Sequence, residues 1–357
     1  MLSHRLTNKP SRSVKPVPEQ MRAVQLDRYD PDLDVAIESL SVVSKPVPWP
    51  GRGQVLIKIE AAPCNPSDLL FLQGLYGVTK TLPSMPGWEG AGTVVKAGEG
   101  LLGRMLLDRR VACAAQADVD GTWAEYFVTE ARLCVPLNKQ VSFEQGAMLI
   151  INPLTALALF EECVKGRHRA AVHTAGASQL GRMLARLAVR RQYPMIHIVR
   201  REEQVAQLKA LGAEVVLNCE HENFYAILHH QAERLGATIA LDAVAGPMTG
   251  RVLKAMPAGS KAVVYGVLSN LACGEIHPYD LIFQDKRIEG FWLTPWLLRK
   301  GMISTMRLAS RAQGLIAGGV FDSKVRARLS FDEIRSGLRD YHRRMSEGKV
   351  LIYPAVK

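Results

Sequence analysis

The chain runs to 357 residues, 48% of them hydrophobic and 22% charged, the ordinary balance of a globular protein with core enough for roughly two domains of about 100–200 residues each. No run of about 18 apolar residues exists, so no membrane span is expected, and the six cysteines lie far apart with no C-x-x-C pair, which argues against a disulfide frame or a structural zinc site. The formal charge of +11 comes from 45 basic and 34 acidic residues; no Lys/Arg block alternates with aromatics, so it reads as solvated faces plus attraction for an anionic cofactor rather than as a nucleic-acid surface.

Residues 1–20 hold Arg5, Lys9, Arg12 and Lys15, three prolines and no acid before Glu19. With no apolar signal-peptide core, they are expected to form a disordered basic tail. Its other readings are a mitochondrial presequence, if the source is eukaryotic, and a start placed too early. The absence of a recognisable signal favours the cytoplasm.

From Met21 onwards short strands and turns dominate. Arg22–Leu26, Gln54–Ala61, Gly90–Ala97 and Trp123–Thr129 read as strands, punctuated by Pro63, Asn65-Pro66, Gly74, Gly77, Pro83 and Pro86-Gly87. Residues 21–145 are therefore expected to be a compact all-β unit. Beyond about residue 150 strands alternate with helices. The expected strands are Ala170–Thr174, Met195–Val199, Glu214–Leu217, Ile239–Val244, Ala262–Val267 and Ile288–Leu293; the helices are Ser178–Arg191, Glu202–Leu211 stopping at Gly212, and Asn223–Leu235 stopping at Gly236. Alternation of this kind predicts an α/β unit with a doubly wound parallel sheet and a dinucleotide crevice. Helical stretches over Trp296–Ala317 and a strand over Lys349–Pro354 close the chain.

The first strand of that array runs into Ala175-Gly176-Ala177-Ser178-Gln179-Leu180-Gly181 and a helix. Small residues there let a pyrophosphate approach the free N–H groups of the helix start, although a plain tight turn would look alike. The second strand ends at Val199-Arg200-Arg201 with no acid. An arginine at that point suits the 2′-phosphate of NADP, where an acid would bind the ribose hydroxyl of NAD; the other reading is a solvated surface charge. NADPH is the expected cofactor.

Several motifs in order, Ala62-Pro63-Cys64-Asn65-Pro66-Ser67-Asp68, Gln73-Gly74-Leu75-Tyr76-Gly77, Gly87-Trp88-Glu89-Gly90, Asn152-Pro153-Leu154-Thr155-Ala156 and Gly290-Phe291-Trp292-Leu293, make residues 21–357 resemble a zinc-free medium-chain dehydrogenase/reductase of the quinone oxidoreductase and 2-enoyl thioester reductase branch. The resemblance implies a GroES-like β-rich catalytic domain over 21–148 and 320–357, a Rossmann NADP-binding domain over 149–319, and an active site in the cleft between them. Where zinc-dependent relatives place Cys, His and Cys, this chain has Asn65, Trp88 and Asn152, which cannot form such a site; no metal is expected. Glu89 is expected to be structural.

By the same resemblance Tyr76 is the candidate donor to a developing enolate oxygen, or else a tyrosine packed beside a glycine turn. Asn65 and Thr155 would contact the nicotinamide or its ribose, and Ala177, Ser178, Gln179 and Leu180 would cradle the pyrophosphate. Tyr265 and Gly266 would lie near the nicotinamide or adenosine. The strand ending at Phe291, Trp292 and Leu293 would line the cleft, with Trp292 as core the alternative, and Lys349 would approach the cofactor from the returning β domain. Gln179 stands where many relatives have glycine. His173 and His197 are expected to be satisfied core groups, and His229-His230 to face solvent.

The expected activity is NADPH-dependent, zinc-independent reduction of an activated C=C bond in a small-molecule enal, enone or 2-enoyl thioester. The alternatives are a quinone oxidoreductase and, in another class, a non-catalytic NADPH-binding scaffold. The family leads one to expect a homodimer.

Overall fold

The computed structural model describes residues 17–354 with the exception of residue 118. The expected tail therefore falls, up to residue 16, outside the described residues. Its last four positions are already tied down: the Glu19 carbonyl accepts the Val47 N–H at 2.9 Å and Val17 packs on a small apolar cluster.

The first half of the chain holds β1 (Gln20–Leu26), α1 (Leu33–Glu38), β2 (Leu40–Pro46), β3 (Gln54–Cys64), α2 (Pro66–Leu72) and β4 (Glu89–Ala97). It continues through α3 (Leu101–Leu106), β5 (Arg110–Ala114), β6 (Tyr126–Glu130), β7 (Cys134–Pro136) and α4 (Phe143–Ala147). The expected all-β character is thus corrected by four short helices. Their starts are encoded locally. Asp32 caps α1 by accepting the Asp34 and Val35 N–H groups at 2.9 and 3.3 Å, and Pro66 opens α2 where its missing N–H costs nothing.

The second half comprises α5 (Ile151–Lys165), β8 (Ala170–His173), α6 (Gln179–Arg191), β9 (Met195–Val199), α7 (Glu202–Ala210), β10 (Val215–Asn218) and α8 (Phe224–Leu235). Then come β11 (Ala237–Asp242), α9 (Pro247–Ala255), β12 (Lys261–Val264), α10 (Pro278–Ile282), β13 (Arg287–Gly290) and α11 (Leu293–Ala317). The chain closes with β14 (Val325–Leu329), α12 (Ile334–Arg343) and β15 (Lys349–Ile352). Strands β8 to β13 form one parallel sheet in the order β10-β9-β8-β11-β12-β13, the doubly wound order whose direction reverses between β8 and β11. Both faces are covered. Leu154, Leu157 and Phe160 of α5 and Met183, Leu184 and Leu187 of α6 pack on one side, and Phe224, Leu228, Val252 and Leu253 of α8 and α9 on the other. That double burial is why all four residues of β8, Ala170 to His173, are buried with no alternation.

A seven-stranded sheet contains β3 to β7 together with β14 and β15, so the end of the chain returns to the first half: β15 pairs antiparallel with β3, Val350 opposite Cys64. One expected strand is shorter than its sequence suggested. β13 stops at Gly290, Phe291 makes one further bond (its N–H to the Val264 carbonyl, 2.8 Å), and Leu293 already begins α11. Phe291, Trp292 and Leu293 thus form a strand-to-helix turn, with Pro295 in the first turn of α11, where its missing N–H leaves no helix bond unmade.

Candidate active site

The switch point is tied together by one carboxylate. Buried Asp242, at the end of β11, accepts the Thr174 hydroxyl from beyond β8 at 2.8 Å, the Thr249 hydroxyl at 2.6 Å and the Val244 N–H at 2.9 Å. Above this floor the turn into α6 is set by close packing. Ser178 caps the helix, its Oγ accepting the Gly181 N–H at 3.0 Å. A Cβ at Gly181 would lie 2.4 Å from the Gly176 carbonyl oxygen, so only glycine fits. Ala177 and Leu180 are buried beside it.

Gln179, the first residue of α6, is 5% exposed, and neither its amide oxygen nor its amide nitrogen has a hydrogen-bond partner among the described residues. An orphaned buried amide costs about 1–3 kcal/mol; at a helix N-terminus it suits a bound pyrophosphate, to which the nitrogen can donate. The residues present therefore fit a dinucleotide. Arg200 and Arg201 are both exposed at the end of β9. The Arg200 guanidinium has no hydrogen-bond partner among the described residues, whereas Arg201 Nη2 donates to Ser346 Oγ at 3.1 Å. Ser346, in the loop before β15, also accepts Arg182 Nη1 on its carbonyl at 3.2 Å. Two arginines of the parallel-sheet half thus clasp the returning chain beside the turn, a contact that sequence gave no sign of.

Tyr265 lies just beyond β12 and Gly266 packs so tightly on Ala243 that a Cβ would sit 2.7 Å from its carbonyl oxygen. The Tyr265 hydroxyl is engaged with His173 Nε2 at 2.9 Å. His173 and His197 are buried, as expected of core groups, but they are not fully satisfied: each leaves Nδ1 without a partner among the described residues. Burial pushes His197 down from 6.5 to about 4. Between those values the unfolded chain binds a proton that the folded chain refuses, so this side chain removes stability as pH falls from about 6.5 to about 4, in all about 3 kcal/mol. Urea midpoints measured at pH 7 and pH 5 should fall less in His197→Leu than in the parent; equal falls would exclude this origin.

Across from that turn, Tyr76 follows α2. Its ring packs on Trp88 at 5.1 Å between centroids and meets Trp292 edge-on at 6.4 Å. Burial raises the phenol's pKa, a hydrogen bond from Trp292 opposes the rise, and the Asp68 charge adds to it. Trp88 also packs on Phe71 and carries the Lys80 ammonium 4.5 Å over its ring. Trp292, 44% exposed, is thus not simple core: it stands at the rim against Tyr76.

Below Tyr76 lies a buried polar network. The Asn65 N–H donates to Asp68 at 2.7 Å, and the Trp88 N–H to the other Asp68 oxygen at 3.1 Å. The Asn65 side-chain amide donates to Glu89 Oε1 at 3.1 Å, and Glu89 Oε2 accepts the Ile150 and Ile151 N–H groups at 2.9 Å each. Lys349 Nζ donates to Asn65 Oδ1. Its head is therefore spent inside the β domain and does not point outward. Burial raises Asp68 to about 7 and Glu89 upward, and lowers Lys349. Asp68 was legible in principle, standing three residues after an N-capping asparagine. Thr155 is buried on α5, one turn beyond Ile151, with no side-chain hydrogen bond among the described residues.

This donor set does not suit a metal. The Cys64 thiol is buried and pushed far up by burial, Asn65 and Trp88 offer no anionic or imidazole ligand, and an ammonium already sits on Asn65. Among the described residues no three His, Cys, Asp or Glu side chains are grouped to hold an ion. Nor is any helix among them long and apolar enough to cross a membrane.

Comparison with known proteins identifies the family. The family "Alcohol dehydrogenase GroES-like domain" matches residues 51–139 and "Zinc-binding dehydrogenase" residues 180–309. A crystal structure from Mesorhizobium loti, of a protein provisionally named NADPH:quinone reductase, superimposes with a TM-score of 0.86 at 37% identity, covering 95% of this chain and 100% of that one. The chain belongs to the medium-chain dehydrogenase/reductase family. This oxidoreductase is also 31% identical to mitochondrial enoyl-[acyl-carrier-protein] reductase of Arabidopsis thaliana over 251 residues, 69% of this chain and 66% of that protein, just under two thirds of its length. The complex of Etr1p with NADP and crotonyl-CoA shares the fold, with a TM-score of 0.78 at 21% identity over 94% of this chain and 99% of that one. A medium-chain reductase of this type uses a nicotinamide cofactor, and both halves of the expected architecture, GroES-like and Rossmann, are present.

Proposed function

We propose that this reductase uses NADPH to reduce a C=C bond conjugated to a carbonyl, in an enal, an enone or a 2-enoyl thioester. The observation that carries the reading is Tyr76: burial raises its pKa, so the phenol stays protonated at neutral pH, and it stands between Trp88 and Trp292 at the rim of the cleft. The resemblance to enoyl-[acyl-carrier-protein] reductase supports the acceptor class.

Bound reduced nicotinamide supplies the hydride. Tyr76 donates its hydroxyl proton, as a hydrogen bond or outright, to the carbonyl oxygen on which negative charge develops. Asn65 and Thr155 orient the nicotinamide end. The Gln179 side-chain amide and the N–H groups of Ala177 and Leu180 hold the pyrophosphate; Ser178, whose own N–H donates to the Ala175 carbonyl at 2.9 Å, shapes the turn beside them. Arg200 and Arg201 take the 2′-phosphate, while Tyr265, Gly266, Phe291, Trp292 and Leu293 line the remainder. Lys349 acts indirectly, through Asn65. Residues 21–148 and 320–357 form the catalytic unit and 149–319 the cofactor unit. The partner expected at the open edge of the sheet is a second copy of the chain: β13 lies at that edge, and Ile282, Phe283, Leu298 and Ile303 are exposed around it.

A quinone acceptor is the second reading, favoured by the 37% identity with the Mesorhizobium loti protein and by the flat indole faces beside Tyr76. The test begins with fluorescence titration of NADPH and NADH. NADPH should bind at least tenfold more tightly, and Arg200→Ala or Arg201→Ala should erase about 1.5–3 kcal/mol of that preference while leaving NADH unchanged. A preference for NADH would overturn the cofactor assignment. With NADPH bound, a crotonyl thioester and a quinone at equal concentration then decide between the acceptors.

A further inference from the structure

Glu89 begins β4, and its buried carboxylate is shared between the two halves of the molecule. Oε1 accepts the Asn65 side-chain amide at 3.1 Å. Oε2 accepts the N–H groups of Ile150 and Ile151 at 2.9 Å each, at the start of α5. Those N–H groups have no partner within their own helix, and Ile150 at the cap position cannot supply one from its side chain. A carboxylate from the other domain does so, and also meets the positive end of the helix.

Thr155 lies four residues beyond Ile151, on the same face of α5. One side chain therefore ties Asn65, from the GroES-like half, to the helix that carries Thr155, from the Rossmann half. The Asn65 amide is fixed in orientation as well as in place. Lys349 can only donate, so it must meet Oδ1; an ionised Glu89 can only accept, so it must meet Nδ2. One amide hydrogen of Asn65 is left over.

We propose that Glu89 is a positioning residue for hydride transfer: it sets Asn65 against α5, and so fixes the nicotinamide relative to the acceptor. The proposal rests on the reading that Asn65 meets the nicotinamide. Glutamine at position 89 cannot replace the carboxylate. If its oxygen faces Ile150 and Ile151, its NH2 faces the NH2 of Asn65; if Asn65 flips, its NH2 faces the Lys349 ammonium. Each arrangement sets two donors against each other.

The test compares Glu89→Gln, Asn65→Ala and the double variant in full-length protein. NADPH titration reads both the Kd and the emission of the bound nicotinamide; single-turnover oxidation by a crotonyl thioester reads hydride transfer. Glu89→Gln should slow hydride transfer at least tenfold, alter the bound emission as Asn65→Ala does, and leave the Kd within threefold. The double variant should be no slower than Asn65→Ala alone. Multiplying effects, or an unchanged transfer rate with only a lower melting temperature, would overturn the proposal while leaving the role of Asn65 standing. If instead Asn65→Ala changes neither rate nor emission, the underlying reading fails and the proposal with it. Should Glu89→Gln not fold, Glu89→Asp keeps both acceptors but is one methylene too short to hold both partners, and the same pattern is expected of it.

Discussion

Lys349→Met should cost about 3–5 kcal/mol of stability at pH 8, and much less at pH 5. The lysine is 2% exposed, and burial alone lowers its pKa; the neighbouring Glu89, Cys64 and Asp68 charges push it back up. A buried ion of this kind adds little net stability, yet removing it strands what it served. Asn65 Oδ1 loses its donor, and the Glu89 and Asp68 carboxylates lose the cation that holds their pKa values down. The sign follows from linkage. Asp68 titrates near 7 in the folded chain against 3.8 as its ordinary value, so between about pH 4 and 7 the unfolded chain gives up a proton that the folded chain keeps. Stability from this group therefore falls as pH rises through that window. Without the ammonium both carboxylates rise further, and the window extends upward. Urea midpoints of parent and variant should diverge from pH 5 to pH 8. A gap that does not change with pH would mean that the carboxylates near Lys349 do not change protonation between pH 5 and pH 8, and the charge network would have to be redrawn.

The same residues show where sequence is informative and where it is silent. The Rossmann half was legible because its signals are local and periodic: buried strands, glycines ending α7 and α8, and a small-residue turn that needs Gly181 for contact with Gly176. Short helices such as α1 and α2 were hidden by the turn residues that start them, since Asp32 and Asn65-Pro66 punctuate loops as readily as they cap helices. The cluster below Tyr76 was only partly legible. Asn65, Tyr76 and Lys349 were named from motifs, but the contact between Asn65 and Lys349 was not legible: Lys349 lies 284 positions from Asn65 and reaches it because β15 pairs beside β3. Glu89 looked structural because its partners on α5 are backbone groups, which leave no mark on residue type. The clasp of Arg182 and Arg201 on Ser346 is invisible for the same reason, half of it being made to a carbonyl.

Tyr76→Phe should lower the hydride-transfer rate by about 10²–10³ while leaving the Kd for NADPH and the melting temperature close to those of the parent. The substitution deletes one oxygen. The ring contacts with Trp88 and Trp292 survive, so packing at the rim is kept and the loss reads the hydroxyl alone. Because burial raises the phenol's pKa above its ordinary 10.0, the parent should show no loss of rate from tyrosine ionisation at least up to about pH 9. Stopped-flow oxidation of bound NADPH by a crotonyl thioester, run from pH 6 to 9, measures both effects. The comparison with a quinone sharpens the meaning. A conjugated thioester concentrates negative charge on one carbonyl oxygen as hydride arrives and needs a donor there. A quinone spreads that charge over its ring and a second oxygen. A large loss with the thioester and a small one with the quinone would fit a hydroxyl that stabilises an enolate. A loss equal for both would place Tyr76 in binding the aromatic slot, and no loss with either would leave the proton to solvent and take the central residue out of the mechanism.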